Sequence, residues 1–229
     1  MLNPQLFRMN AYRNNQSGRP AFPARDPSPK PRFKPRNRPP EDESRIYFIA
    51  LLPNAEVGKE IIRLKQEFAD HYDARKALRV LPHITLQAPF TAKPYLEDAL
   101  CTELCAFAAA EAPFEIRLDG FGAIHLKNRR VLFINVEKDP AITALHKKLI
   151  GFLRKEFGFS SMLARYGYNP HISVALNDLK GRELEAAWDE YRDKPFEATF
   201  RVNNLYIFRH TGTSWEVLQK CRLGLPKEG

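Results

Sequence analysis

Apolar and polar positions along the chain repeat in one order, twice. A continuous apolar run, Ile46 to Leu52, predicts a buried strand closed by Pro53-Asn54. Val57, Ile61, Leu64 and Phe68 then keep the spacing of one apolar helix face. Pro82-His83-Ile84-Thr85-Leu86 alternates with the period of a half-buried strand. A helix from about Tyr95 to Ala110 follows, striped by Leu96, Leu100, Leu104 and Phe107. Phe114 to Leu118 alternates as a strand, and Asp119-Gly120 predicts a turn into a further strand over Phe121 to Leu126. The second round opens with a strand at Val131 to Val136. A helix marked by Ile142, Leu145, Leu149 and Phe152 ends near Gly158, and Pro170-His171-Ile172-Ser173-Val174 follows. A helix over Gly181 to Tyr191 and strands at Phe196 to Val202, Leu205 to Phe208 and Trp215 to Leu223 complete the chain.

Ile46 lies 37 residues before His83, and Val131 lies 40 before His171. That near-equality points to an internal duplication of strand, helix and motif strand. The expected fold is α+β and bilobal: two pseudo-symmetric lobes of antiparallel-rich sheet, with flanking helices and a central cleft that brings the two motif strands together.

In both motifs a proline, a histidine, an isoleucine, a hydroxyl residue and an aliphatic residue succeed one another. Period-2 alternation puts the histidine and the hydroxyl two residues on upon one face, and proline is tolerated at a strand start. By ordinary residue usage a given histidine is followed by aliphatic, Ser or Thr, aliphatic in about one case in seventy. Two such events among six histidines are a poor match to coincidence.

Charge divides the chain differently. The 229 residues carry a net +9, yet residues 1–40 hold nine Lys or Arg and one acid, whereas the remainder holds 27 basic and 26 acidic residues. Residues 1–42 also contain nine of the eighteen prolines and few aliphatics, the composition of a disordered or polyproline-like basic tail. Residues 43–229 form the expected folded domain. The tail reads as an electrostatic tether for RNA or another polyanion, or as a solvated extension with no partner. No apolar run reaches the length of a membrane span, and the first thirty residues have no continuous apolar segment of a secretory signal. Cys101, Cys105 and Cys221 are sparse and odd in number, which predicts reduced, buried thiols and a cytoplasmic home. Balanced charge in the domain and one closed duplication favour a monomer.

Two imidazoles with ordinary pKa near 6.5 can act together at neutral pH as general base and general acid. The sequence supplies no further His, Asp or Glu spacing that would build a metal site, so no metal or other cofactor is expected. Thr85 and Ser173 have no evident activating base, and their better role is to donate hydrogen bonds to nonbridging phosphate oxygens. Acid, base and paired donors around one centre suit in-line displacement at a phosphodiester.

His83-Ile84-Thr85-Leu86 and His171-Ile172-Ser173-Val174 resemble the paired signature, His-aliphatic-Ser/Thr-aliphatic, of the 2H phosphoesterase superfamily, which includes the 2′-5′ RNA ligase-like cyclic phosphodiesterases. The resemblance runs from about Arg45 to Leu225 and takes in Phe48 and the Phe-x-Ile-x-Leu-x-Gly-Phe-Gly stretch at 114–122. It implies a bilobal α+β fold and metal-independent hydrolysis at the 2′,3′-cyclic phosphate ends of RNA or in cyclic nucleotides, with reversible 2′-5′ ligation as the same chemistry run with a ribose hydroxyl. On that resemblance His83 and His171 are the acid and base pair, in either order, and Thr85 and Ser173 grip the phosphate. The basic tail has no counterpart in it.

Arg165, Tyr166 and Tyr168 precede the second motif. Arg165 is a candidate phosphate ligand and Tyr168 a candidate base-stacking residue, against the alternative of a loop packed on the sheet. Arg130, before its strand, is a similar case. His125, His146 and His210 read as surface or packing residues, and His71 as a partner of a helix C-terminus. The competing functional class is an RNA- or nucleotide-binding module with a phosphate cleft and no turnover.

Overall fold

A computed structural model describes residues 44–126, 129–159, 167–179 and 181–224. Its strands are β1 (Arg45–Leu51), β2 (Ile84–Ala92), β3 (Phe114–Leu126), β4 (Arg129–Val136), β5 (His171–Leu176), β6 (Glu197–Val202), β7 (Asn204–His210) and β8 (Trp215–Arg222). Helix α1 (Ala55–Tyr72) joins β1 to β2, α2 (Glu97–Ala109) follows β2, α3 (Pro140–Phe157) joins β4 to β5, and α4 (Gly181–Tyr191) follows β5.

Helices α1 and α3 are each 18 residues long and start on side-chain caps: Asn54 accepts from the Val57 N–H, and Asp139 from the Ala141 N–H. Both end on a left-handed residue, Asp73 in one and Gly158 in the other. The predicted apolar faces are largely the buried ones, with Val57, Ile61, Leu64 and Phe68 in α1 and Ile142, Leu145 and Leu149 in α3, where Leu153 is buried in place of the partly covered Phe152.

The strands form one eight-stranded antiparallel sheet in the order β6-β3-β4-β5-β2-β1-β7-β8. At its centre β2 and β5 meet through a single pair, Ile84 opposite Ile172, whereas the other neighbours pair over several residues. That seam separates a first lobe, β2-β1-β7-β8, from a second, β5-β4-β3-β6, and the two run outward from the motif strands in mirrored order. The lobes exchange chain. After α2 the polypeptide crosses to build β3 to β6 in the second lobe, then returns to close the first with β7 and β8.

One face of the sheet carries the helices and the main core. Tyr47, Ile49, Leu51, Ile84, Leu86, Ile116, Leu118, Ile134, Ile172 and Val174 pack there against the buried faces of α1, α2 and α3. Each such side chain contributes about 1.5–3 kcal/mol when fully buried. Helix α1 reaches β5 and β6, and α3 reaches β2, so the helices cross the seam and tie the lobes together. On the Lys76 backbone the N–H donates to Asp178 Oδ2, a further link between the segment before β2 and the one after β5. The opposite face, floored by both motif strands, is open.

Two expectations are corrected. Asp119-Gly120 is not a hairpin turn: β3 runs through it, with a register shift between Leu118 and Phe121 and Gly120 at φ 59°. Glycine absorbs the bulge because it enters that region without a Cβ penalty. The cysteines are not all thiols, since Cys105 of α2 is bonded to Cys221 of β8 and only Cys101 is free. The two bonded residues lie 116 positions apart, so no local spacing announces them. The cysteine argument for a reducing home falls with that bond. No helix among the described residues is long and apolar enough to cross a membrane.

Candidate active site

The open face gathers the repeated motifs. Ile84 and Ile172 point into the core, so their neighbours His83, Thr85, His171 and Ser173 point the other way, and all four are half-buried. Antiparallel pairing about Ile84 and Ile172 places His83 across the seam from Ser173, and His171 across from Thr85. Each imidazole therefore neighbours the hydroxyl of the other motif.

Both rings are held alike. His83 Nδ1 lies 2.8 Å from the Leu81 carbonyl, and His171 Nδ1 lies 2.8 Å from the Asn169 carbonyl. A carbonyl only accepts, so Nδ1 carries the hydrogen in each case and protonation changes at Nε2. An aromatic ring backs each imidazole: Phe48 of β1 at 4.9 Å from His83, Phe133 of β4 at 4.7 Å from His171.

The surroundings then diverge. Phe48 stacks in parallel on Phe208 at 4.5 Å and meets Trp215 edge-on at 4.6 Å, forming a small apolar cluster beside His83 with Leu52, Val80 and Tyr206. In the second lobe Phe133 lies over Gly122, where an added Cβ would sit 2.4 Å from its ring and 2.8 Å from Asn135 Oδ1. Asn135 pairs with His171 across β4 and β5, and its Nδ2 donates to the Phe121 carbonyl.

Burial pushes the His83 pKa down to about 4; the Leu81 hydrogen bond opposes this, and the charges of Lys65 and His171 reinforce it. His83 is therefore neutral at pH 7. Among the described residues no group of three or more His, Cys, Asp or Glu is placed to hold a metal ion.

Tyr168 is placed differently from its expected role. Its ring stacks face to face on His146 of α3 at 3.8 Å and packs against the main core, and burial raises its hydroxyl pKa. One ring face is thus covered and the hydroxyl is buried, which makes Tyr168 a packing residue rather than an open stacking platform. Arg165 and Tyr166 lie outside the described residues. Arg130 donates from Nη1 to the Leu179 carbonyl and braces the segment after β5. His125 is exposed at 6.5 Å from the Trp188 ring, His210 meets Trp215 at 4.8 Å, and His71 occupies the last turn of α1.

Phe133 and Asn135 read in one sequence as ordinary strand content, and Gly122 is marked there only as the last residue of the 114–122 stretch. Only the cross-strand register puts them beside His171.

Comparison with known proteins gives the fold and the family. The chain is 28% identical over 181 residues to a conjectural phosphoesterase of Bacillus cereus, covering 77% of this chain and 95% of that one, and 27% identical over 181 residues to its counterpart in Bacillus thuringiensis. Among solved structures, Escherichia coli LigT complexed with 3′-AMP matches with a TM-score of 0.57 at 21% identity, over 79% of this chain and 99% of that one. TT0787 of Thermus thermophilus matches with a TM-score of 0.58 at 20% identity, over 80% and 99%. Both share the fold. Residues 53–214 match the sequence profile of the 2′-5′ RNA ligase superfamily, a span that holds both histidine motifs, and the chain belongs to that superfamily of phosphoesterase and RNA ligase-like enzymes.

Proposed function

We propose that the protein is a phosphodiesterase acting on the 2′,3′-cyclic phosphate ends of RNA or on cyclic nucleotides, by acid–base catalysis between His83 and His171 and with no metal in the step. The observation that carries the reading is the pair of imidazoles on adjoining strands, each fixed through Nδ1 with Nε2 left for proton exchange and each beside a hydroxyl.

In hydrolysis a water oxygen bonds to phosphorus as one ribose oxygen leaves in line. One Nε2 takes the water proton and the other supplies a proton to the leaving oxygen, so the pair ends with its proton exchanged and no net change. His83, neutral at pH 7, is placed to enter as base, which leaves the acid's part to His171. Thr85 and Ser173 donate to the nonbridging oxygens where charge builds. With a 5′-hydroxyl in place of water the same steps join two strands through a 2′-5′ bond.

The two sides of the open face suggest how a nucleotide lies. Beside His83 the first lobe presents half-buried Tyr206 and Trp215, with Ile46 at 39% and Val217 at 40% exposure, an apolar shelf fit for a nucleobase. The outer strands of the second lobe present Glu115, Arg117, Glu197 and Arg201 to water. Residues 1–42 add an electrostatic contact to longer RNA without taking part in the chemistry.

The test is incubation with 2′,3′-cyclic nucleotides, and with a short RNA ending in the cyclic phosphate, in the presence of EDTA. Products are resolved as 2′- or 3′-monophosphates. A single regioisomer, absent with His83→Ala, is expected. No product from either substrate overturns the reading in favour of a phosphate-binding module. Deleting residues 1–42 should leave turnover of small cyclic nucleotides intact and flatten the salt dependence of RNA binding.

A further inference from the structure

Lys65 stands alone on the buried face of α1. Its side chain is buried at 2% exposure among apolar neighbours, an environment that ordinarily excludes an ammonium. What retains it is a pair of carbonyls. Lys65 Nζ donates to Ala77 and to Val80, both at 3.0 Å, in the turn that leads into β2.

The same turn is gripped from two more sides. Ser214, between β7 and β8, donates from Oγ to the Arg79 carbonyl at 2.8 Å, and His83 donates from Nδ1 to the Leu81 carbonyl. Carbonyls 77, 79, 80 and 81 are thus held by donors from α1, from the β7–β8 turn and from the motif strand itself. The last of them sets the orientation of the His83 ring.

The feature belongs to one lobe. Helices α1 and α3 have equal length, and counted from their first residues Lys65 corresponds to Ile150, which is buried and apolar. The fold therefore accommodates an aliphatic side chain here, and the lysine answers to something local to His83.

We infer that Lys65 is a positioning residue for His83: its buried ammonium fixes the turn whose next carbonyl aims the imidazole, and its positive charge favours the neutral ring. This rests on the assignment of His83 as a proton-transfer group. Lowering of the His83 pKa by the Lys65 charge is in the same direction, and the lysine, its own pKa lowered to about 8 by burial, is charged at neutral pH. The other charged or titratable groups near the turn and His83 are Lys76 and Arg79 on the turn, His171 on β5, Tyr206 on β7 and His210 at its end. None of them replaces a buried cation bonded to both carbonyls.

The experiment uses the full chain and three variants, Lys65→Met, Lys65→Arg and Ser214→Ala. The His83 Cε1–H resonance is followed through a pH titration, beside Tm and the kcat and KM with a cyclic nucleotide as substrate. For Lys65→Met we expect the His83 midpoint to rise by about half a unit to one unit. Its kcat should fall about tenfold, with KM changed by less than about twofold. Lys65→Arg should restore the midpoint. Ser214→Ala loosens the turn without removing charge, so it should lower kcat modestly and leave the midpoint in place. A Lys65→Met protein with lower Tm but an unchanged His83 midpoint and kcat would overturn the inference. If Lys65→Met fails to fold, a midpoint in Lys65→Arg displaced as far as one unit would do the same. The titration needs no substrate, so it stands even if the wild-type protein turns over none of the nucleotides tried.

Discussion

The two lobes share one frame and differ around their histidines. Their long helices agree at three buried apolar positions: Val57 with Ile142, Leu64 with Leu149, Phe68 with Leu153. Capping agrees too. The imidazoles are oriented by the same bond to the carbonyl two residues earlier. Yet His83 sits among stacked aromatics and next to a buried cation, whereas His171 has Asn135 beside it and a ring pressed onto a glycine. Two imidazoles of equal basicity can still serve as acid and base, so unequal surroundings bear on which ring takes which part.

Removing the imidazoles is the most severe challenge to this contrast between half-sites. His83→Ala and His171→Ala should each lower kcat by about 10² to 10⁴, and the double variant should cost far less than their product, because the groups act as a unit. Single-turnover rates on a cyclic nucleotide test this, and near-normal turnover by either single variant would refute the pairing.

Next come the supports, which should both lose stability but for opposite reasons, one from a void and the other from crowding. Phe208→Ala opens a void under Phe48 and should cost about 3–5 kcal/mol, whereas Gly122→Ala crowds Phe133 and Asn135 and should cost about 1–3 kcal/mol with a loss of kcat. Urea unfolding of both variants reads the difference. Reduction of the Cys105–Cys221 bond opens a loop that encloses the whole second lobe and should cost about 2–4 kcal/mol, visible as a lower Tm in dithiothreitol.

A gentler probe is pH. The folded pKa of His83 lies at about 4, below the unfolded value near 6.5, so the unfolded chain binds more protons between those limits. Stability should rise as pH climbs from about 4 to 6.5 and fall on acidification through that window. Burial depresses His146 in the same sense, so the test compares wild type with His83→Gln, whose stability should vary less over the window. Equal slopes would show that His83 titrates normally.

Much of this architecture is written in local pattern. The stripe Val57, Ile61, Leu64, Phe68 found its helix, and the repeated motifs found both half-sites, since strand alternation fixes which face a histidine takes. What escaped was non-local. Asp119-Gly120 reads as a turn because those residues favour one, and only pairing of β3 with both β4 and β6 makes it a bulge. Tyr168 reads as a platform until α3 brings His146 against it. Lys65 passes as a surface residue within an amphipathic helix, because its burial depends on the turn that folds over it.

The exchange of chain between lobes has a consequence for synthesis. His83 is translated early, but the strands that complete its surroundings, β7 and β8 with Phe208, Ser214 and Trp215, come near the end. The second lobe, by contrast, is continuous from β3 through β6. A chain emerging from the ribosome can thus assemble the surroundings of His171 before those of His83, which wait for the β7–β8 hairpin.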